Sequence, residues 1–366
     1  MTGSITAAAE QSSHPPRASR ARNSPFAVVD IGSNSVRLVI YESFSRTPAV
    51  VHNEKAICAI GRDMVTHRRL HEEGMKLALD SLSRFRMLAD AHRVELRDAV
   101  ATAAARDAAN GQEFVRRAEA AWGSPIRILS GVEEARLAAQ GVLAGITSAD
   151  GLVADLGGGS LDMVTVKNGQ TGAALTMPFG PLRLIDLAKG DPERARDIVR
   201  AGLDEIKKLG SLKSRALYAV GGVWRSFARV DMEELNYPLH VLHNYAIPTD
   251  RAVKISRVLA RLSRKSFELM RVVSRRRAEA LPYGAIVLEE LLLATGLGQV
   301  VISAYGLREG LLYERLSVEE RAKDPLVAFA TAFNARISRT PQHASEMFAW
   351  LSPLFPDETE EARRIR

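Results

Sequence analysis

The sequence predicts a mixed α/β protein made of two similar halves that face each other. Two observations carry this reading. The stretch Asp155-Leu156-Gly157-Gly158-Gly159-Ser160-Leu161-Asp162 lies between two apolar runs, Leu152-Val153-Ala154 and Met163-Val164-Thr165-Val166. That is the pattern of strand, tight turn, strand. A second copy precedes it: Ala27-Val28-Val29-Asp30-Ile31-Gly32-Ser33-Asn34-Ser35, followed by Val36-Arg37-Leu38-Val39-Ile40-Tyr41. Three consecutive glycines remove every Cβ from the later turn, so a ligand can approach its backbone closely. Successive amides can form an anion-binding concavity. A carboxylate at each end of that turn suits a metal–water site, because Mg²⁺ is usually held by one or two carboxylates plus substrate phosphates. A hairpin with a flexible tip is the plain alternative, and the second copy argues against it. Phosphates are expected between the two turns.

At 366 residues the chain is long enough for two domains. The 46% hydrophobic and 25% charged content is that of a globular protein. No run of about 18 apolar residues exists, so no transmembrane helix is expected. Cys58 is the only cysteine, which excludes an internal disulfide and a Cys-rich zinc site and fits a reducing compartment such as the cytoplasm. The net charge of +7 favours a polyanionic partner, nucleic acid or polyphosphate.

Residues 1–24 are rich in Ser, Ala, Pro and Arg without periodicity, and read as a disordered basic tail. Strands are predicted at 26–31, 36–42 and 49–57. A helix over 72–92 follows, with Met75, Leu79, Leu82, Phe85 and Leu88 at helical spacing. A short strand at Ala99-Val100-Ala101 runs into Thr102 to Asn110, then a helix over 112–122 and a strand at 126–129. Ser130-Gly131-Val132-Glu133-Glu134 opens a helix to about 145, and its two adjacent acids cannot share a helix face. One is expected to serve the helix end and the other to point at the cleft. The second half repeats the plan with strands at 152–156, 162–167 and 171–177, a helix over 192–209 and a strand at 216–220. The strand ends at Gly221-Gly222, a glycine turn opening a helix, and such helix starts bind anions well. Residues 249–295 read as helical, a strand is predicted at 299–302, and two more helices lie between Val318 and Trp350. Residues from Ser352 onward are expected to fray.

Six segments, in order, resemble the exopolyphosphatase and guanosine pentaphosphate phosphatase family. They are the Asp30 hairpin, Arg106 to Asn110, Ser130 to Leu137, the Asp155 hairpin, the Gly221-Gly222 turn and Gly306-Leu307-Arg308-Glu309-Gly310. The resemblance spans roughly residues 26–315. It implies two ribonuclease-H-like domains of the actin, sugar kinase and heat-shock-70 superfamily, at 25–148 and 149–304, the second with a helical insertion. It also implies a return segment, 305–317, packed on the first domain, and a short helical extension, 318–366. By the same resemblance Glu134 is the general base, Asp155 and Asp162 hold Mg²⁺, and Arg106 pairs with substrate phosphate. The backbones of Gly32, Ser33, Asn34 and Ser35, of Gly157, Gly158, Gly159 and Ser160, and of Gly221 and Gly222 cradle the phosphates.

Three positions depart from the family pattern. Ser160-Leu161-Asp162 stands where Ser-Thr-Glu is usual, and Val223 where Thr is common. Asp162 is one methylene shorter than Glu, so it is expected to reach the metal through water. The stretch from Asp324 to Phe355 resembles the start of the helical C-terminal domain of longer members.

The implied reaction is water attack on a terminal phosphoryl group, with release of orthophosphate. The expected substrate is inorganic polyphosphate; the alternatives are guanosine pentaphosphate or a non-catalytic alarmone-binding role. Neither a membrane nor a nucleic acid is an expected partner, and a homodimer is compatible with the resemblance. Arg251, Lys254, Arg257, Arg261, Arg264 and Lys265 fall mostly at spacings of three or four. That row is expected to hold the distal part of a long polyphosphate, and it is the reason for preferring polyphosphate.

Overall fold

A computed structural model describes residues 24–62, 64–340 and 342–365. The expected tail therefore lies outside the described residues, apart from Ser24. In the first half, β1 (Phe26–Ile31), β2 (Ser35–Tyr41) and β3 (Val50–Ile57) form an antiparallel meander. The strands β4 (Leu96–Ala101) and β5 (Arg127–Ile128) continue the sheet in parallel, giving the order β3-β2-β1-β4-β5. Side chains alternate across a strand, so β1 feeds two cores. Ala27, Val29 and Ile31 face one, Phe26 and Val28 the other.

The outer core is covered by α2 (Glu72–Ala91) and α4 (Gly111–Trp122). Met75, Ala78, Leu82, Phe85 and Ala89 line one face of α2 at intervals of three and four. His71 caps it by accepting the Gly74 amide. Two short helices, α1 (Met64–His67) and α3 (Ala103–Asp107), stand at the carboxyl end of the sheet, and α5 (Gly131–Gly145) leads into the second half.

There β6 (Gly151–Leu156), β7 (Leu161–Lys167) and β8 (Gln170–Met177) repeat the meander, with β9 (Ala216–Val220) parallel to β6. A sixth strand appears that the sequence did not suggest, β10 (Tyr245–Pro248), paired antiparallel to β11 (Gln299–Ile302). The order is β10-β11-β9-β6-β7-β8. Helices α6 (Pro181–Ala188), α7 (Pro192–Gly202), α8 (Gly222–Glu234), α9 (Thr249–Arg261), α10 (Arg264–Leu269) and α11 (Leu281–Thr295) accompany this sheet. The helix expected over 192–209 changes to a tighter 3₁₀ form at Leu203–Leu209.

Between the sheets lie α5 and α12 (Leu307–Arg315). Ala135, Ala139 and Val142 of α5 pack on Val153, Val164 and Tyr218 of the second sheet. Leu307, Leu311 and Leu312 of α12 pack on Phe26 and Val28 of the first. The two helices cross closely enough to require glycine. A Cβ on Gly310 would sit 1.8 Å from the Leu137 carbonyl oxygen, and one on Gly141 would sit 2.0 Å from that of Gly306. The result is two α/β halves, each built on its own sheet and joined through a shared middle layer.

Beyond residue 317 the chain forms α13 (Val318–Ala322), α14 (Pro325–Ile337), α15 (His343–Leu351) and α16 (Glu360–Ile365). There is one more helix before Trp350 than the two expected, and another after Ser352. Asp324 explains the first break: its carboxylate accepts the Leu326 amide at 2.8 Å, with Pro325 at the first helical position. No described helix is long and apolar enough to cross a membrane.

Candidate active site

The two Asp hairpins are closed in the same way. Gly32 N donates to Ser35 O at 3.0 Å, and Gly157 N to Ser160 O at 3.0 Å. The turns meet across the space between the halves: a Cβ on Gly158 would lie 3.5 Å from Ser33 Cβ. Each is braced from behind. Ser33 O accepts from Gly61 N, Asn34 O from Cys58 N and Ala59 N, and Gly158 O from Leu182 N. Both turns sit at the carboxyl ends of β1 and β6, where open α/β sheets bind ligands.

Pairing register places the chemistry. Asp30 lies opposite Arg37, and Arg37 opposite Lys55. In the second half Asp155 lies opposite Asp162, and Asp162 opposite Thr176. Both rows face the middle layer, because Phe26 and Val28 lie on the same face as Asp30, and Val153 and Val164 on the same face as Asp155 and Asp162.

The adjacent acids at the start of α5 separate. Glu133 closes a capping box with Ser130, its Oε2 accepting the Ser130 amide at 2.8 Å while its own amide donates to Ser130 Oγ. Glu134 turns inward and is only 7% exposed. Its Oε2 lies 3.6 Å from Arg106 Nη1, which donates to Leu129 O at 2.9 Å. Burial raises the Glu134 carboxyl well above its ordinary value; Asp162 and Asp155 add to this and Arg106 opposes it. Asp155 is pushed up to about 7 by burial and then by Asp162. Asp162, 1% exposed, is raised by burial to about 6 although Ser160 Oγ donates to its Oδ2 at 2.6 Å. Burial first, and mutual repulsion after it, make these groups resist ionising together. Ser160 thus supports Asp162 through its side chain. Leu161 and Val223, two of the departures from the family pattern, are buried in the outer core of the second sheet.

A cation fits this acidic pocket. Glu134 Oε2 and Asp162 Oδ1 are buried without a hydrogen-bond partner among the described residues. No group of three His, Cys, Asp or Glu among the described residues is arranged to hold an ion by itself. A bound cation would therefore complete its shell with water and phosphate, as Mg²⁺ does.

Several cations at the site were not singled out in the sequence. Arg308, in the first turn of α12, lies 3.8 Å from Asp30 Oδ2. Arg225, in the first turn of α8, donates to Ala304 O at 3.3 Å. Arg277 lies over the glycine turn: a Cβ on Gly222 would be 1.9 Å from its Nη2, so the cradle expected at Gly222 is covered by a guanidinium. Gly221, at φ +109°, brings the chain against Leu156 O. With Arg37 and Lys55 these side chains repel one another. Burial lowers Arg37, with Arg308 and Arg225 adding to it. Partial desolvation, then Arg277, Arg37 and Arg225, push the Lys55 ammonium down to about 8. Cations held together against repulsion form a site for a multiply charged anion. The signal in sequence was alternation: Arg37 sits one residue from buried Val36 and Leu38 on an otherwise apolar strand.

The expected basic row is kept only in part: Arg251, Lys254, Arg257 and Arg261 share one face of α9. Leu262 is extended and ends α9, so Arg264 and Lys265 belong to another helix. Arg251 pairs with buried Asp231 at 2.5 Å, Arg257 with buried Glu289 at 2.7 Å, and Arg264 with Glu268 at 3.0 Å. Asn110, in the Arg106 segment, is buried and accepts the Leu70 amide at 2.8 Å.

The fold matches solved structures. An exopolyphosphatase from Cytophaga hutchinsonii superposes with a TM-score of 0.72 at 24% identity, covering 79% of this chain and 96% of that one. The Aquifex aeolicus PPX-GPPA enzyme gives 0.68 at 24% identity, over 80% of this chain and 99% of that one. At such identities the likeness is one of fold. The sequence pattern of the Ppx/GppA phosphatase family matches residues 24–319, most of the chain and both hairpins. The chain belongs to the Ppx/GppA phosphatase family.

Proposed function

We propose that the protein is an exopolyphosphatase, removing the terminal phosphoryl group of inorganic polyphosphate by water attack. The observation that carries this reading is the Glu134 carboxylate. It is buried beside Asp155 and Asp162, with an oxygen that makes no hydrogen bond among the described residues and faces Arg106 at 3.6 Å. A raised carboxyl is suited to a general base working near neutral pH. Glu134 takes a proton from water as the water oxygen bonds to the terminal phosphorus. The bridging P–O bond breaks, leaving orthophosphate and a chain one unit shorter. Mg²⁺, held by Asp155 and Asp162, would when bound offset charge on the transferred group. Arg106 orients Glu134 and the terminal phosphate. Arg37, Lys55, Arg225, Arg277 and Arg308 hold the following phosphates. Such transfers depend on positioning and charge stabilisation more than on covalent chemistry.

Hydrolysis of guanosine pentaphosphate is the second reading. The acidic partners of Arg251, Arg257 and Arg264 favour it, because they weaken the basic row as a seat for a long chain and leave the cluster from both halves, which suits a few phosphates. Orthophosphate release from polyphosphate and from guanosine pentaphosphate decides between them. Glu134→Gln is expected to lower turnover about 10²–10⁴-fold while substrate binding persists. Turnover near normal in that variant removes Glu134 as the base.

A further inference from the structure

Asp107 lies between two guanidiniums from opposite halves. Its Oδ1 accepts from Arg106 Nε at 3.1 Å, and its Oδ2 is 3.6 Å from Arg183 Nη1. Arg106 reaches Glu134 with another nitrogen. Arg183, in the first turn of α6, follows Leu182, whose amide holds Gly158 O at 3.0 Å. The carboxylate therefore stands near the second turn, on the side where Arg106 meets the acidic pocket. Guanidiniums hold a carboxylate and a phosphate through the same forked contacts to paired oxygens. Asp107 also adds negative charge beside Asp162. A contact serving only to tie the halves together would gain nothing from that repulsion, and a neutral acceptor would tie them as well.

We propose that Asp107 is an internal stand-in for a substrate phosphate. In the free protein it occupies the seat between Arg106 and Arg183, and it yields that seat to an incoming phosphate. The inference rests on the phosphohydrolase reading and adds two things to it. Arg183 becomes a substrate-binding residue supplied from the opposite side of the cleft, and Asp107 a built-in competitor that lowers affinity for anions. Asp107 and Arg183 are partly exposed, at 39% and 40%, so exchange needs no unfolding.

The test is binding of orthophosphate and of tripolyphosphate to the full chain by titration calorimetry. Asp107→Asn is expected to tighten both about fivefold, the scale of an exposed ion pair. Asp107→Glu, which keeps the charge, stays near the starting protein, and adding Arg183→Met to Asp107→Asn reverses the gain. Unchanged or weaker binding in Asp107→Asn overturns the proposal and makes Asp107 a structural tie. If Asp107→Asn does not fold, Asp107→Ser is measured in its place. Orthophosphate binding needs no turnover, so failure of the phosphohydrolase reading shows separately, as absence of phosphate release.

Discussion

The hairpins β1-β2-β3 and β6-β7-β8 are the same object built twice, with opposite charge. Each carries an Asp at the end of its first strand and a four-residue turn closed by the same 3.0 Å backbone hydrogen bond. The next position across the ladder is Arg37 in one and Asp162 in the other, and the third is Lys55 against Thr176. One row is a single anion flanked by cations. The other is two carboxylates, with Glu134 as a third nearby. The backbone geometry does not decide what each half does, since it is shared. Cross-strand neighbours decide it: the cationic row is suited to holding a polyanion and the acidic row to water and a cation.

The comparison sharpens at Lys55. Although the residue is exposed, partial desolvation and then the neighbouring guanidiniums of Arg277, Arg37 and Arg225 push its ammonium down to about 8. Its contribution to anion binding is present below pH 8 and is lost as pH rises through 8. Tripolyphosphate binding is therefore expected to weaken several-fold between pH 7 and pH 9. Lys55→Arg, charged throughout that range, should flatten the profile relative to the starting protein. An unaltered profile in Lys55→Arg would remove Lys55 from the phosphate path.

A smaller effect is expected outside the hairpins. Changing Arg257, Arg261 and Arg264 together to Gln should leave the ratio of KM for long and short polyphosphate unchanged. The same change should lower thermal stability, because buried Glu289 loses one of its two cations and keeps only Arg196, at 2.6 Å. A selective rise in KM for long chains would restore the basic row as a binding surface.

What the sequence could reveal follows from how far apart the cooperating residues lie. Both hairpins form where apolar runs flank short polar turns, and α2 forms where its apolar residues recur. The separation of Glu133 from Glu134 is a helix-face argument, and the capping box bears out its geometry. The failures involve partners distant in the chain. Arg257 reads as a free cation because its counterion is 32 residues away on α11. Arg277 is the last of three consecutive arginines in the sequence, Arg275 to Arg277, and only folding lays it on Gly222. The short β10 ends in Pro248 and has too few residues to show alternation.

The most direct measurement is of kcat and KM on tripolyphosphate for Asp162→Asn and Arg37→Met side by side. The two residues occupy the same position in twin hairpins. If the acidic row does the chemistry and the cationic row holds the substrate, Asp162→Asn lowers kcat by about 100-fold or more with little change in KM. Arg37→Met then raises KM by about tenfold with kcat nearly unchanged, the mark of lost uniform binding. The reverse split, or the same parameter shifted in both variants, would contradict the division of labour between the two halves.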